Sequence, residues 1–275
     1  MSVEAADAYE KARKLGKRET TPENMPPVLD HLLDPAVSYS QERAGQKEIA
    51  LSQIAGMKNE GRISAFGKDF LPLLKSDTEF AAKWMRLYDA QISEGLRDPI
   101  KVYEYLHKYY VEEGNKRVSV MKFLGGKTIM AQIVRILPDK DGSEEAQVYY
   151  EYLEFSRIHN IDFIHFSKPG EYKKLEQLLA LPSQYGLNDE QEKQLRSEYH
   201  LFEQAFEQVK NEQMHLSVAE AFLLYLEIYT VDSFLEKSGS ILVSELKQIE
   251  EDLEAYPHKL ETRLETASLD KTLKR

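Results

Sequence analysis

Apolar residues recur at helical spacing in two parts of the chain, after residue 76 and from residue 144 onward. Ser76 and Glu79 have the Ser-x-x-Glu spacing of a capping box, so we predict a helix over residues 77–94. Gly95 ends this helix, because a glycine readily adopts the left-handed conformation of a helix terminus. The helical spacing assigns four side chains to the core: Phe80, Trp84, Leu87 and Tyr88.

Shorter apolar segments bounded by Gly, Pro and charged residues predict strands. Pro99 precedes a strand from Ile100, the turn falls at residues 106–108, and residues 109–112 return antiparallel. We predict further strands at residues 48–54 and 128–137, and between the hairpin and the last strand a helix over residues 118–124.

The chain divides into three predicted regions. Residues 1–46 form an arm with one helix, from Val3 to Leu15, and a Pro-rich stretch, and we expect the arm to be partly mobile or to wrap another element. Residues 47–140 form a small mixed sheet with helices, and residues 141–275 form an acidic, mainly helical region, which makes the fold class α+β. The predicted elements of the last region are helices at 144–158, 171–181, 188–211, 217–229 and 241–255, a strand at 161–166, and a frayed tail after Pro257.

Composition removes several classes of function. The 275 residues include no cysteine, which excludes disulfide frameworks, thiolate zinc sites and cysteine nucleophiles. Hydrophobic residues make up 42% and charged residues 30%, as in a globular protein. No apolar run reaches the length of a membrane span, and residues 1–18 lack the apolar stretch of a secretory signal. We therefore expect a cytoplasmic protein with no membrane association.

Charge is distributed unevenly along the chain. The net charge is -11, which argues against a chain that coats nucleic acid over its whole surface. Residues 97–140 carry 9 basic and 5 acidic side chains, whereas residues 141–275 carry 14 basic and 27 acidic side chains. A basic segment in an acidic protein indicates a local anion site, or else lysines that solvate an exposed sheet edge.

The residues Glu-Gly-Asn-Lys-Arg stand where the hairpin passes into a helix. The first amides of a helix lack partners within it, and with the helix dipole they bind anions such as phosphate. Gly114 allows a tight turn or a close backbone approach, Lys116 and Arg117 supply positive charge, and Ser119 supplies a hydroxyl. The alternative is that Gly114 only turns the chain and the basic residues are solvated.

The order of elements from Glu48 to Leu137 resembles that of the ParB/sulfiredoxin superfamily, in particular a subgroup of ParB-like domains. At this corner ParB-type proteins carry Gly-Glu-Arg-Arg and sulfiredoxins Gly-Cys-His-Arg, where this chain has Gly114, Asn115, Lys116 and Arg117. The resemblance implies a nucleotide or phosphate site at these residues, with a nucleoside triphosphate and Mg²⁺ as the expected ligand.

The chain departs from the family pattern at two positions. Asn115 replaces the sulfiredoxin cysteine, which excludes sulfiredoxin activity, and Asn115 and Lys116 replace the acidic and first arginine positions of ParB proteins. Specificity for cytidine triphosphate and its hydrolysis therefore do not follow from the resemblance. Related free-serine kinases and nuclease-like members have an acidic residue just before the glycine, and Glu113 stands there as a candidate metal ligand or base.

Other candidate residues are weaker. Arg62 and Lys68 follow the first predicted strand, where ParB-like domains bring a second basic residue to the nucleotide; otherwise they are ordinary loop charges. No His/Asp/Glu spacing matches a metal signature. Four hairpin tyrosines near lysines suit either base stacking or, more often, cross-strand packing: Tyr103, Tyr105, Tyr109 and Tyr110.

Three hypotheses follow from the sequence. The leading one is a ParB-like nucleotide- or phosphate-binding protein with a regulatory or scaffolding role. The second is a metal-assisted phosphotransferase or nuclease-like enzyme that uses Glu113. The third is a DNA-associated interaction module without a small ligand. The C-terminal helices form a bundle core or a partner-binding face, and their acidity disfavours duplex binding.

Overall fold

The computed structural model describes residues 2–181, 185–235 and 237–256. The chain divides into two compact units, residues 1–139 and residues 140–275. The first unit therefore contains both the predicted arm, residues 1–46, and nearly all of the predicted domain at residues 47–140.

The first unit combines helices with a single sheet. Its helices are α1 (Val3–Glu19), α2 (Leu29–Leu32), α3 (Glu79–Ser93) and α4 (Asn115–Phe123). Its strands are β1 (Gln41–Ala50), β2 (Ile54–Met57), β3 (Ile100–Tyr105), β4 (Lys108–Glu113) and β5 (Thr128–Ile136).

The five strands form one mixed sheet in the order β1-β5-β3-β4-β2. β1 and β5 pair antiparallel, as do β3 and β4, whereas β3 pairs parallel with β5 and β2 pairs parallel with β4. Because parallel neighbours require a crossover connection, the chain passes from β3 through β4 and α4 before it returns as β5. The mixed sheet with its helices confirms the α+β class.

The predicted hairpin and the helix that precedes it both form. Leu106 and His107 make the two-residue turn with φ of 51° and 64°, and Glu104 accepts a hydrogen bond from the His107 amide at 3.0 Å. Phe80, Trp84 and Tyr88 of α3 are buried in the core, as predicted, and Leu87 is half-buried.

The predicted arm packs on the rest of the first unit through α1. This helix continues to Glu19, beyond the predicted end at Leu15, and its buried residues include Tyr9, whose ring lies edge-on to Trp84 at 5.4 Å. The Ser2 hydroxyl binds the Asp89 carboxylate of α3 at 2.5 Å. The prediction that the arm wraps another element agrees with these contacts.

Other elements of the first unit also differ from the predicted ones in their limits or caps. The strand predicted at residues 48–54 is instead the longer β1 followed by a short 3₁₀ helix and β2, because the polar residues of β1 pair with β5 at an exposed sheet edge. Helix α3 is capped by the Thr78 hydroxyl, which accepts from the Ala81 amide at 3.2 Å, rather than by Ser76. Helix α4 begins at Asn115, three residues before its predicted start.

The second unit, in its described residues, is built of helices. They are α5 (Glu144–His159), α6 (Glu171–Leu178), α7 (Asp189–Val209), α8 (Val218–Tyr229), α9 (Val231–Phe234), α10 (Gly239–Gln248) and α11 (Glu250–Glu254). The strand predicted at residues 161–166 is absent: Ile161, Ile164 and Phe166 are buried, but that segment pairs with no strand. The tail after Pro257 lies outside the described residues.

Among the residues that the structure describes, no helix has the length and apolar character needed to cross a bilayer.

A buried carboxylate begins helix α6. Glu171 is 6% exposed and accepts hydrogen bonds from the Tyr256 hydroxyl at 3.1 Å and from the Lys168 amide at 3.3 Å. Burial, and next the nearby carboxylate of Glu220, raise the pKa of Glu171 to about 7, against an opposing effect of Lys168. Protonated Glu171 is therefore the form that the folded second unit favours.

We predict that Glu171 makes the stability of the second unit fall with pH. Because its pKa is higher in the folded than in the unfolded chain, its contribution is complete below about pH 4.5 and is lost as the pH rises through about 7. Glu171→Gln removes this dependence, so its gain over the parent should grow from near zero at low pH to about 3 kcal/mol at pH 8. Urea unfolding followed by circular dichroism measures the gain. Glu212→Gln, at an exposed position, is the control, and a gain for Glu171→Gln that does not change with pH would contradict the prediction.

Candidate functional site

The turn from β4 into α4 occurs at a single residue. Gly114 is the N-cap of α4 with φ of 105° and ψ of 13°, a left-handed conformation that L side chains rarely adopt. A Cβ on Gly114 would lie 2.5 Å from Cγ2 of Ile100, the first residue of β3. Of the two roles that the sequence left open for this glycine, the geometry therefore supports the tight turn against the neighbouring strand.

A cavity of about 540 Å³ opens beside this turn. We call it the corner cavity. Its lining contains five cationic side chains, two carboxylates, an apolar wall and the turn itself: Arg62, Lys83, Arg86, Lys116, Arg117, Glu112, Glu113, Phe66, Leu87, Gly114 and Asn115. The structure thus brings together six of the seven site residues that the sequence predicts.

The N-terminal end of α4 supplies unpaired amides to this region. In the part of the chain that the structure describes, no acceptor pairs with the backbone N–H groups of Asn115, Lys116 or Arg117. No side chain caps the helix either, since glycine holds the N-cap position. These donors and the positive end of the helix dipole favour an anion at the cavity edge.

Arg117 is held by the backbone that leads into β3. Its Nη1 donates to the carbonyl oxygens of Asp98 at 2.6 Å and Pro99 at 2.8 Å. Its Nε and Nη2 have no protein acceptor among the described residues. The guanidinium therefore ties α4 to the start of β3 and keeps donors available.

Lys116 is half-buried against an aromatic ring. Its Nζ lies 4.7 Å from the centroid of Phe80, and no hydrogen bond or ion pair joins it to another described residue. Burial, followed by the positive charges of Arg62 and Lys83, lowers the pKa of the Lys116 ammonium, while Glu79 opposes the shift weakly. An anion in the corner cavity would offset the effect of these cations.

Glu113 and Asn115 stand on either side of the glycine. Lys101 on β3 binds the Glu113 carboxylate at 2.7 Å and is the main cause of the lowered pKa of Glu113. Such a carboxylate is a poor proton acceptor near neutral pH. The Asn115 side-chain oxygen is buried without a hydrogen-bond partner among the described residues.

Ser119 is the exception among the predicted site residues. It is fully buried one turn further along α4, and its hydroxyl accepts a hydrogen bond from Nε1 of Trp84 at 2.9 Å. Its sequence position, one turn after the helix start, placed it near the ligand, but α4 turns this position towards the core. The predicted contact between Ser119 and a ligand is therefore wrong.

The other candidate residues separate in the structure. Arg62 lines the corner cavity from the 3₁₀ helix at residues 60–65, whereas Lys68 does not line it. Sequence reasoning missed Lys83 and Arg86, which project from the exposed side of α3 into the cavity lining. Their spacing of three residues in a predicted helix was the available signal.

The hairpin tyrosines are packing residues. Tyr109 and Tyr110 are buried, Tyr105 lies edge-on to Tyr39 at 6.2 Å, and Lys58 Nζ lies 5.1 Å from the Tyr103 ring. This arrangement favours the cross-strand packing interpretation over base stacking. Among the described residues, no three His, Asp or Glu side chains are grouped so that they could hold a metal ion.

Comparison of the chain with models of protein families and with curated proteins finds no match. The corner cavity is therefore the feature from which a function can be inferred.

We predict that Gly114→Ala destabilises the first unit by about 3 kcal/mol. The change imposes about 1–2 kcal/mol for a left-handed alanine and a further cost of about 1–3 kcal/mol for the overlap with Ile100. Gly125→Ala is the matched control, because Gly125 has φ of 72° but open space around it, and it should cost only the backbone part. Urea unfolding compares the two, and equal losses would show that Ile100 does not restrict position 114.

We predict that Ser119→Ala lowers stability without weakening ligand binding in the corner cavity. The variant leaves the buried indole N–H of Trp84 without its acceptor, at a cost of about 1–3 kcal/mol. A double-mutant cycle with Trp84→Phe isolates this hydrogen bond, because Ser119→Ala should cost less when the indole is already absent. Additive losses in the cycle would contradict the assignment.

Proposed function

We propose that the first unit binds a phosphate-bearing ligand, such as a nucleotide, in the corner cavity and that binding serves a regulatory or scaffolding role. One observation carries the proposal: residues 115–117, whose amides have no acceptor among the described residues, line the same cavity as Arg62.

Charge favours an anionic ligand. The cavity lining has five cations and two carboxylates, and Glu113 is already paired with Lys101. Lys116 has no carboxylate partner among the described residues, and its lowered pKa reflects burial and the repulsion from neighbouring cations. A phosphate group would relieve this repulsion and accept hydrogen bonds from the helix amides.

Size and chemistry favour an organic phosphate over the inorganic ion. A volume of about 540 Å³ lies in the range of small-molecule sites and exceeds what one phosphate ion fills. The half-buried Leu87 gives the cavity an apolar surface against which a base or other organic group could pack. The unpaired Asn115 oxygen would suit a ligand that also carries a hydrogen-bond donor.

We also propose that the first unit is related to the ParB/sulfiredoxin fold. The support is the order of elements: the β3–β4 hairpin, the glycine turn, α4 and the return of the chain as β5 beside β3. In this relation a nucleoside triphosphate with Mg²⁺ is the expected ligand, and Gly114 to Arg117 are the residues that contact its phosphates.

The two alternatives have less support. The pairing of Glu113 with Lys101 argues against Glu113 as the base of a phosphotransferase or nuclease. The acidic composition of residues 141–275 argues against a duplex-binding surface there.

Calorimetric titration with pyrophosphate and with nucleoside triphosphates, each with and without Mg²⁺, tests the proposal. We expect binding that weakens as salt is added, because exposed charges contribute to it. Arg62→Gln and Lys116→Gln should each weaken binding by about tenfold, from the loss of a charge-assisted contact of about 1.5 kcal/mol.

Lys127→Gln is the matched control, since Lys127 is an exposed lysine of the same unit that does not line the cavity. Arg117 is a poor choice for this test, because its removal also frees the carbonyls of Asp98 and Pro99. Binding that Arg62→Gln and Lys116→Gln leave unchanged would place the ligand elsewhere.

A further inference from the structure

Lys116 has the surroundings of a reactive amine rather than of a surface cation. Lys116 lines the corner cavity, and its Nζ lies over the Phe80 ring at 4.7 Å and is joined to no carboxylate among the described residues. Burial and the charges of Arg62 and Lys83 lower its pKa. A larger fraction of this amine is therefore neutral, and so nucleophilic, than of an exposed lysine at the same pH.

The same cavity would collect reagents that carry a phosphate. The amides at the start of α4 and the cations of Arg62 and Arg117 attract the anionic end of such a molecule. A clustered positive charge raises the local concentration of an anion by about tenfold or more. The corner cavity thus combines a nucleophile, the Lys116 amine, with a site for the phosphate that would leave from its reagent.

We propose that Lys116 is a site of acylation by acyl phosphates, which are mixed anhydrides of a carboxylic acid and phosphate. This inference rests on the proposed anion site, and it adds a covalent regulation of that site. The cavity would recognise a ligand in which an acyl group is joined to a phosphate dianion.

The reaction balances without an added cofactor. The lone pair of neutral Lys116 Nζ attacks the acyl carbon, a C–N bond forms, and the C–O bond to phosphate breaks with its electron pair leaving on phosphate. The leaving phosphate or water takes the proton that nitrogen loses. The products are an acyl-lysine and inorganic phosphate, which the cavity then releases.

Acylation of Lys116 would prevent anion binding in the corner cavity. It removes the positive charge of Lys116 and its attraction to the Phe80 ring, and it places an acyl group in the cavity. The occupancy of the cavity would then follow the supply of acyl phosphate.

Lys122, on the same helix, provides a matched comparison. Its Nζ lies 5.4 Å from the Phe70 ring, and burial lowers its pKa as well. It differs in that it does not line the corner cavity and is 3.8 Å from the Asp69 carboxylate. The two lysines therefore separate the effect of burial from the effect of the cavity.

The experiment incubates the full chain with acetyl phosphate and, separately, with acetic anhydride, a neutral reagent. Mass spectrometry measures the initial acetylation rates of Lys116 and Lys122. For each reagent, the rate at Lys116 is divided by the rate at Lys122. The quotient is the ratio for acetyl phosphate divided by the ratio for the anhydride, and it cancels differences between the two lysines in exposure and pKa. We expect this quotient to be about ten, from the concentration of an anion in a charged cleft.

Two further measurements test whether the preference of acetyl phosphate for Lys116 arises in the corner cavity. Pyrophosphate added as a competitor should bring the quotient close to one, and so should Arg62→Gln, which removes a cavity cation from an exposed position. A quotient of about ten that pyrophosphate and Arg62→Gln leave unchanged would overturn the role of the cavity.

Calorimetry with pyrophosphate on the unmodified protein keeps the two proposals distinguishable. A quotient near one in a protein that binds pyrophosphate overturns the acylation inference and leaves the anion site standing. A quotient near one in a protein that does not bind pyrophosphate overturns both.

Discussion

The first unit depends on the way in which Gly114 lets β4 pass into α4 beside β3. Ile100 occupies the space where any larger residue would place its Cβ, so the strand and the helix approach more closely than two side chains would permit. Arg117 reinforces the turn by binding the carbonyls of Asp98 and Pro99. The closeness of the turn leaves the first amides of α4 uncapped, and the corner cavity lies next to them.

The basic residues of this corner have different tasks, although in the sequence they form one group. Arg117 is largely structural, since one arm of its guanidinium is fixed by backbone carbonyls. Lys116 packs on an aromatic ring and pairs with no carboxylate in the described part of the chain, and Arg62 is exposed at the rim. A ligand would therefore meet cations that are held in place to different degrees. The half-buried Lys116 is less accessible to solvent than the exposed Arg62.

Local chemistry in the sequence was sufficient to predict the hairpin, the glycine turn and the helix limits near Gly95 and Gly125, because each depends on a few neighbouring residues. Pairing between distant strands was not predictable in this way: the polar half of β1 is a strand only because β5 lies beside it. The prediction that Ser119 contacts a ligand failed for a related reason, because the position of Trp84 in the core decides where the Ser119 hydroxyl points. Lys83 and Arg86 joined the site through the packing of α3, which the sequence does not specify.

The hydrogen bond between Trp84 and Ser119 has a practical consequence. The chain contains a single tryptophan, and its indole lies in the first unit, joined to the helix whose N-terminal end borders the corner cavity. Fluorescence excited at the red edge of the protein absorption band therefore originates in this unit alone, and the second unit contributes none. Emission wavelength and quenching would follow events around α4 in the intact chain, without a label and without separating the two units.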